Sequence, residues 1–235
     1  MEVTPININN TRFLANNTFS PVEKEEYSLG KKAVVATTTA LSVGTCLAIM
    51  AKKKKYSLSP TKMLKNIKNS YILKTKYKAP EIISIGASTC VGGLLGGFMI
   101  DKNRENQKAK LREALMQFGN ISIPILGVDL IADNLCKKAG KFTKAATSLG
   151  GFFAGVYIAN FIMNKVCNLI FNNKTDARGV KATDFTAHVD DLLAVANYVS
   201  DSNIIQKIGC IIPFALMIAG NEVGNKQAKT VDINA

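Results

Sequence analysis

Three stretches of this chain are long and apolar enough to dictate its surroundings. Ala33 to Ala51 and Ile82 to Ile100 each run for 19 residues without a charged side chain, and Ala145 to Asn164 runs for 20. At ~1.5 Å of helical rise per residue, 19 residues cover roughly 28 Å, about one bilayer hydrocarbon core. Two weaker runs follow. Leu115 to Leu135 is apolar apart from Asp129 and Asp133, and Ile204 to Gly220 apart from Lys207. The expected fold is all-α, a polytopic transmembrane helical bundle of about five spans at 33–51, 82–100, 115–135, 145–171 and 204–220. These spans form a membrane domain over 31–222, between a largely irregular tail at 1–30 and a C-terminal tail at 223–235. The charges in the two weaker runs leave buried or interfacial helices as the alternative there.

Composition supports this reading and removes others. The 235 residues carry a net charge of +13, yet 47% of them are hydrophobic. Such charge without apolar runs indicates disorder or nucleic-acid binding; here charged and apolar residues are segregated into blocks. A single histidine, His188, rules out a multi-histidine metal centre within one chain. No phosphate-binding loop, dinucleotide fingerprint, zinc-protease helix or nucleophile elbow is present. Cys46, Cys90, Cys136, Cys167 and Cys210 each fall in or at the end of one run, where they act as small apolar residues rather than a disulfide framework. The first run reads as a span and not a signal peptide, because some thirty residues precede it and Lys52-Lys53-Lys54-Lys55 closes it.

Orientation follows from the lysines. Between Lys52 and Lys78 there are ten lysines and no acidic residue, which places the loop 52–80 in the cytoplasm. With five alternating spans the N-terminal tail lies outside and the C-terminal tail inside. Within the loop, Ser59 and Pro60 open a helix whose stripe is Met63, Leu64, Ile67 and Tyr71, with Lys62, Lys65 and Lys68 off that stripe. This is a basic amphipathic helix suited to anionic lipid headgroups, which the four lysines 52–55 also reach. No nucleic-acid module accompanies it. A second surface helix is expected from Gln107 to Phe118, with Leu111, Leu115 and Phe118 inward and Lys108, Lys110 and Arg112 outward, leading into the third span. Abundant Lys, Asn and Ile suggest an AT-rich bacterial genome, and so a bacterial inner (plasma) membrane.

Helices in lipid associate by close approach, which small residues permit. The first span carries Ala36, Ala40, Gly44 and Ala48 at four-residue spacing. The second carries Ser88, Gly92, Gly96 and Thr89, Gly93, Gly97. The fourth carries Thr147, Gly151, Gly155 and Ala159. Helix–helix contact is the reading, with a glycine zipper between copies, and hence a homo-oligomer, as the sharper alternative.

Polar residues inside the runs are the remaining candidates. Asn160, Asn164, Asn168 and Asn172 line one helix face and must meet another helix or a wet cavity. Asp129 is flanked by apolar residues and is expected near the membrane middle, neutral or hydrogen-bonded to Asn160. Asp133 precedes Lys137 by one turn, suiting an ion pair at the inner edge. Asp184, His188 and Asp191 recur at helical spacing but make only a weak metal site, and a solvated helix face is the commoner meaning. No metal or cofactor is expected. The chain reads as a non-enzymatic membrane protein acting by packing and association, a scaffold or organiser. The alternative is a small-solute or ion transporter or channel using Asp129 and the Asn160/Asn164 face.

Overall fold

The computed structural model describes residues 26–55, 77–135, 140–171, 178–186 and 211–228. Residues 27–228 belong to one unit. Among the described residues all regular structure is helical: α1 Leu29–Lys53, α2 Ala79–Ile100, α3 Arg104–Leu135, α4 Lys141–Phe171, α5 Ala182–Thr186 and α6 Ile212–Asn225. The fold is thus an all-α helical bundle, and three helices are long and apolar enough to cross a membrane: α1, α2 and the Leu149–Phe171 part of α4.

Local chemistry sets the helix ends. The Ser28 hydroxyl accepts from the Lys31 N–H to start α1. Pro80 sits in the first turn of α2, where its missing N–H is harmless, and Glu81 accepts from the Lys78 N–H. Asp101 and Asn103 turn the chain into α3. Asp101 accepts from the Asn103 N–H at 2.9 Å, and Asn103 accepts from the Glu105 N–H at 2.9 Å.

Helices α1 and α2 form an antiparallel pair. Tyr27 meets Asp101 at one end of it, and Lys54 meets Glu81 at the other. The buried row of α1 is Val35, Thr39, Val43, Leu47 and Ala51. The small row Ala36–Ala40–Gly44–Ala48 named from sequence is mostly exposed, and nothing lies within 4 Å of a Cβ placed on Gly44. On α2 both glycine rows are used, on different sides. A Cβ on Gly92 falls 2.8 Å from the Thr39 Cα, and one on Gly96 falls 2.8 Å from the Val35 Cα, so this row receives α1. A Cβ on Gly93 falls on the Gly220 carbonyl and one on Gly97 falls 2.8 Å from that of Gly224, so the second row receives α6. Backbones this close leave no room for a side chain. The α2 glycines therefore make contacts within one chain.

The apolar core lies at the Lys54 end: Val43, Leu47, Ala51, Ile82, Ile85, Ile121, Ile125, Ile212, Leu216 and Ala219. Helix α3 returns antiparallel to α2, with the Lys110 stem against Gly97 and Ile121 against Gly86. Helix α4 runs antiparallel to α3, with Met163 against Gly119 and Pro124 3.0 Å from where a Cβ on Gly155 would lie. Pro124 removes a donor inside α3 and packs where Gly155 leaves space. Gly151 is half-buried.

The run at 115–135 is not among the described helices long and apolar enough to cross a membrane, and residues 204–210 of the run at 204–220 lie outside the described residues. The first is part of the 32-residue α3, which carries an internal polar stripe; of the second, the described part lies in the 14-residue α6 with Ile211 before it. Lys110 also binds both Tyr27 and the Lys226 carbonyl, so residues 27 and 226 share one end of the bundle. Among the described residues three helices, not five, are long and apolar enough to cross a membrane. The lysine helix at 56–76, with Lys62, Lys65 and Lys68, lies outside the described residues, as do Cys136, Cys210, Asn172 and Lys207.

Overpacking tests the close approach. Gly93→Leu must push a main-chain carbonyl aside and should cost on the order of 1–3 kcal/mol. Gly44→Leu, in open space, should leave stability unchanged. Thermal melts of both variants in detergent check this, and equal midpoints would refute the assignment.

Candidate functional site

Helix α3 is built inside out for a water-soluble protein. Lys110, Glu113, Gln117 and Asn120 recur at helical spacing and are all buried, at 0%, 2%, 0% and 0% exposure. Leu111 and Phe118 of the same helix are exposed. In water the apolar stripe turns inward; in hydrocarbon the polar one must. The amphipathic expectation for Gln107–Phe118 is therefore reversed at Lys110, Leu111 and Phe118, while Lys108 is exposed and Leu115 packs inward as expected, and the helix does continue into the 115–135 region. The other helices agree with this sense, presenting Leu95, Met99, Tyr157, Phe161, Leu169 and Phe214 on the outside.

The stripe holds two ionic clusters. In the first, each Lys110 ammonium hydrogen has an acceptor: the Tyr27 hydroxyl at 2.8 Å, the Lys226 carbonyl at 2.5 Å and Asp101 at 3.5 Å. Its charge also lies 5.0 Å from the centre of the Tyr27 ring. Tyr27 in turn donates to Asp101, as does the Asn106 amide at 2.8 Å. Burial alone would raise the Asp101 pKa. The Tyr27, Asn103 and Asn106 hydrogen bonds and the Lys110 charge outweigh it and hold the carboxyl below the usual range.

The second cluster centres on Glu113. Its carboxylate meets Arg178 at 2.9 Å, Lys181 at 3.3 Å and Lys226 at 3.4 Å. Arg178 is also bidentate to Asp184, at 2.7 and 2.8 Å. Lys181 bridges to Glu222, and the Gln117 amide nitrogen donates to both Glu113 (3.2 Å) and Glu222 (2.9 Å). Among the described residues three acids thus meet three bases. The cluster lies deep: Cys90 and Ala114 share one buried cluster, and Cys90 is ten residues from the end of α2 at Ile100, roughly 15 Å of helix and half a hydrocarbon core. Lys181 and Lys226 are about one-third exposed, at 33% and 32%, so the cluster opens on one side.

Residues 178–186 form a strap that carries Arg178, Lys181 and Asp184 into the bundle. Asn164 accepts from the Arg178 N–H at 2.8 Å, and the Asn164 and Asn160 amides donate to the Arg178 carbonyl at 2.9 and 3.0 Å. This is what two amides one turn apart on α4 accomplish: they replace the secondary structure that an irregular backbone lacks. At its other end the strap is held by Phe185, edge-on to Phe152 with ring centres 5.9 Å apart. Asn168 accepts from Arg112 at 3.4 Å.

Several sequence candidates fall elsewhere. Asp184 joins Arg178, while His188 and Asp191 lie outside the described residues. Among the described residues no three His, Cys, Asp or Glu side chains gather as a metal site. The side chains of Asp129 and Asp133 are outside the described residues. The register of α3 nevertheless carries the Asp129 backbone one turn past Ile125, which packs with Ile82 and Ala51 at the Lys54 end, rather than to half depth beside Asn160. Lys165 is exposed, with its charge 4.4 Å from the Phe161 ring centre. Cys90 and Cys167 are buried as free thiols, and Cys46 is half-buried. Sequence reasoning missed Glu113, Arg178, Lys181, Glu222 and Lys226 because the 178–186 segment read as an outer loop. The available signal was the spacing of Lys110, Glu113, Gln117 and Asn120.

Comparison with family models, with curated proteins and with solved structures finds no match to this chain.

Two outcomes follow from the charge geometry. Glu113→Ala takes the carboxylate away from Lys226 and removes one of the two acids that Arg178 and Lys181 each meet, and should destabilise by ~3–5 kcal/mol. Adding Arg178→Ala should cost far less than the sum of the single changes, and a double-mutant cycle without coupling would refute the shared pairing. At Asp101 the folded pKa lies below the unfolded one, so its stabilisation is complete above the unfolded value, about pH 4, and is lost as pH falls through the lower folded value. Acid titrations of stability should show that loss in the wild type and a smaller one in Asp101→Asn.

Proposed function

We propose that this chain is an integral membrane protein that passes a small cationic solute or a proton through its polar interior. The single observation that carries this is the inward polar stripe Lys110–Glu113–Gln117–Asn120, with the Lys110 charge met at the Tyr27 end and the Glu113 charge about one turn further in. Charges at such depth are costly, and where they persist they line ion and proton paths. The path on this reading uses Glu113, Glu222 and the Asn160/Asn164 face; Asp129 stands at its Lys54 end. Asn160 and Asn164 hold the strap that closes the wedge.

The setting proposed for it is a bacterial inner membrane. The lysine-only loop 52–80 is assigned to the cytoplasm, with 52–78 against anionic headgroups and no nucleic acid engaged. The wedge then opens outward, on the Tyr27 side.

A scaffold or membrane organiser remains the second reading. The exposed row Ala36, Ala40 and Gly44 on α1 favours it, as a surface on which a second copy could pack closely. The α2 ladders no longer support a zipper between copies, since α1 and α6 already occupy them.

Proteoliposomes separate the two. The wild type should dissipate an imposed sodium or proton gradient. Glu222→Gln, which keeps an acceptor beside Gln117, should slow this by about tenfold or more. A wild type that leaves both gradients intact would overturn the transport reading in favour of the scaffold.

A further inference from the structure

The chain changes its mode of attachment where α6 ends. Up to Gly224 it is held by close packing: a Cβ on Gly224 would fall 2.6 Å from the Gly93 carbonyl oxygen, with Val35 against it as well. At Lys226 the backbone leaves the helix for an extended conformation, φ −67° and ψ 135°, with its N–H on the Val223 carbonyl at 3.2 Å. Beyond that point three polar contacts converge on one face of α3. Lys110 donates to the Lys226 carbonyl at 2.5 Å, Asn106 Oδ1 accepts from the Ala228 N–H at 2.9 Å, and the Lys226 ammonium meets Glu113 at 3.4 Å. Asn106, Lys110 and Glu113 stand at i, i+4 and i+7, one stripe of the helix. Side chains of α3 thus satisfy one group from each of two successive peptides, as a neighbouring strand would. Residues 226–228 are half-buried, whereas the Lys110 side chain that they meet is fully buried.

We propose that Lys226–Ala228 is a latch: it lies across the Tyr27-side mouth of the polar interior, covers the Lys110 ammonium and opens without unpacking α6. The two sides of Lys226 are held differently. Lifting α6 would undo backbone contacts with α1 and α2 and would uncover Cys90, which shares a buried cluster with Val223. Lifting 226–228 exchanges two main-chain hydrogen bonds and one partly exposed ion pair for contacts with water, which replaces such partners well at a mouth. Local openings need little free energy where contacts are few, polar and near solvent. The latch is also tied to the rest of that end. Asn106 holds it through its oxygen and holds Asp101 through its nitrogen at 2.8 Å, and Lys110 meets Asp101 at 3.5 Å. With the Tyr27 hydroxyl on the same ammonium, the entry to α1, the turn between α2 and α3 and the chain after α6 meet at one point. Movement of the latch therefore changes what Lys110 binds and what reaches Glu113 from the Tyr27 side. As a gate the latch rests on the transport reading above; as a local closure over Lys110 it has its own test.

Ala228→Pro removes the N–H that Asn106 accepts and leaves every charge in place. Ala228→Gly keeps that N–H and is the control. Purified full-length protein in detergent is treated with acetic anhydride and, separately, with N-ethylmaleimide, and modification at each residue is read by mass spectrometry. In the wild type Lys110 should react far more slowly than the exposed Lys108. A228P should speed Lys110 acetylation by roughly fivefold, what one hydrogen bond contributes to the closed state, while A228G stays near the wild-type rate and Cys90 stays unmodified in all three. Asn106→Ala breaks the same contact from the α3 side and should give the same selective exposure, and adding A228P to it should do nothing more. The latch is overturned if Lys110 keeps its wild-type rate in both A228P and N106A, if it reacts as fast as Lys108 in the wild type, or if Cys90 opens together with Lys110, which would make α6 itself the moving part. In proteoliposomes A228P should dissipate an imposed gradient faster than the wild type. Selective exposure of Lys110 in a protein that moves no ions would sink the transport reading alone. Ion flux indifferent to A228P, with Lys110 protected throughout, would sink the latch alone.

Discussion

The carboxylate of Glu113 is the point on which the arrangement depends. It is the shared counter-charge of Arg178 and Lys181 on the strap and of Lys226 just past α6. Lys226 follows a helix that packs beside α3, whereas Arg178 and Lys181 come from the strap. An ion pair in low dielectric is strong only if both partners are desolvated together and their remaining hydrogen-bonding positions are filled. The cluster meets that condition with the Asp184 fork, the Gln117 bridge and the paired amides of Asn160 and Asn164. The same requirement explains why α3 faces its polar stripe inward and why α6 ends near Lys110.

The rest of the bundle makes this possible by being tightly packed elsewhere. Helices α1, α2 and α6 approach at backbone distance through Gly92, Gly96, Gly93, Gly97, Gly220 and Gly224. Close approach gains dispersion contacts where the hydrophobic effect offers nothing between helices in lipid. It also sets the end of α6 beside Gly97 and Lys110. The apolar core toward Lys54 and the ionic wedge toward Tyr27 are therefore two ends of one construction. One end is held by side-chain volume and the other by charge balance.

The membrane character, the all-helical class and three of the helices were legible in the sequence, because a run of 19 uncharged residues has few places to go. The amide ladder at Asn160 and Asn164 was legible as a face in need of a partner, but not which partner. The α2 glycines were legible as contact surfaces, whereas Gly220 and Gly224 opposite them were not singled out. What the sequence left open was which side of each amphipathic helix faces in. Leu111 and Phe118 against Lys110 and Glu113 make the same stripe pattern in water and in lipid, and only the surroundings decide its sense. The cluster itself joins residues up to 113 positions apart, from Glu113 to Lys226. Local periodicity carries no information about such pairs; they exist only once four segments are brought to one depth and the cost of each buried charge is met by its neighbours.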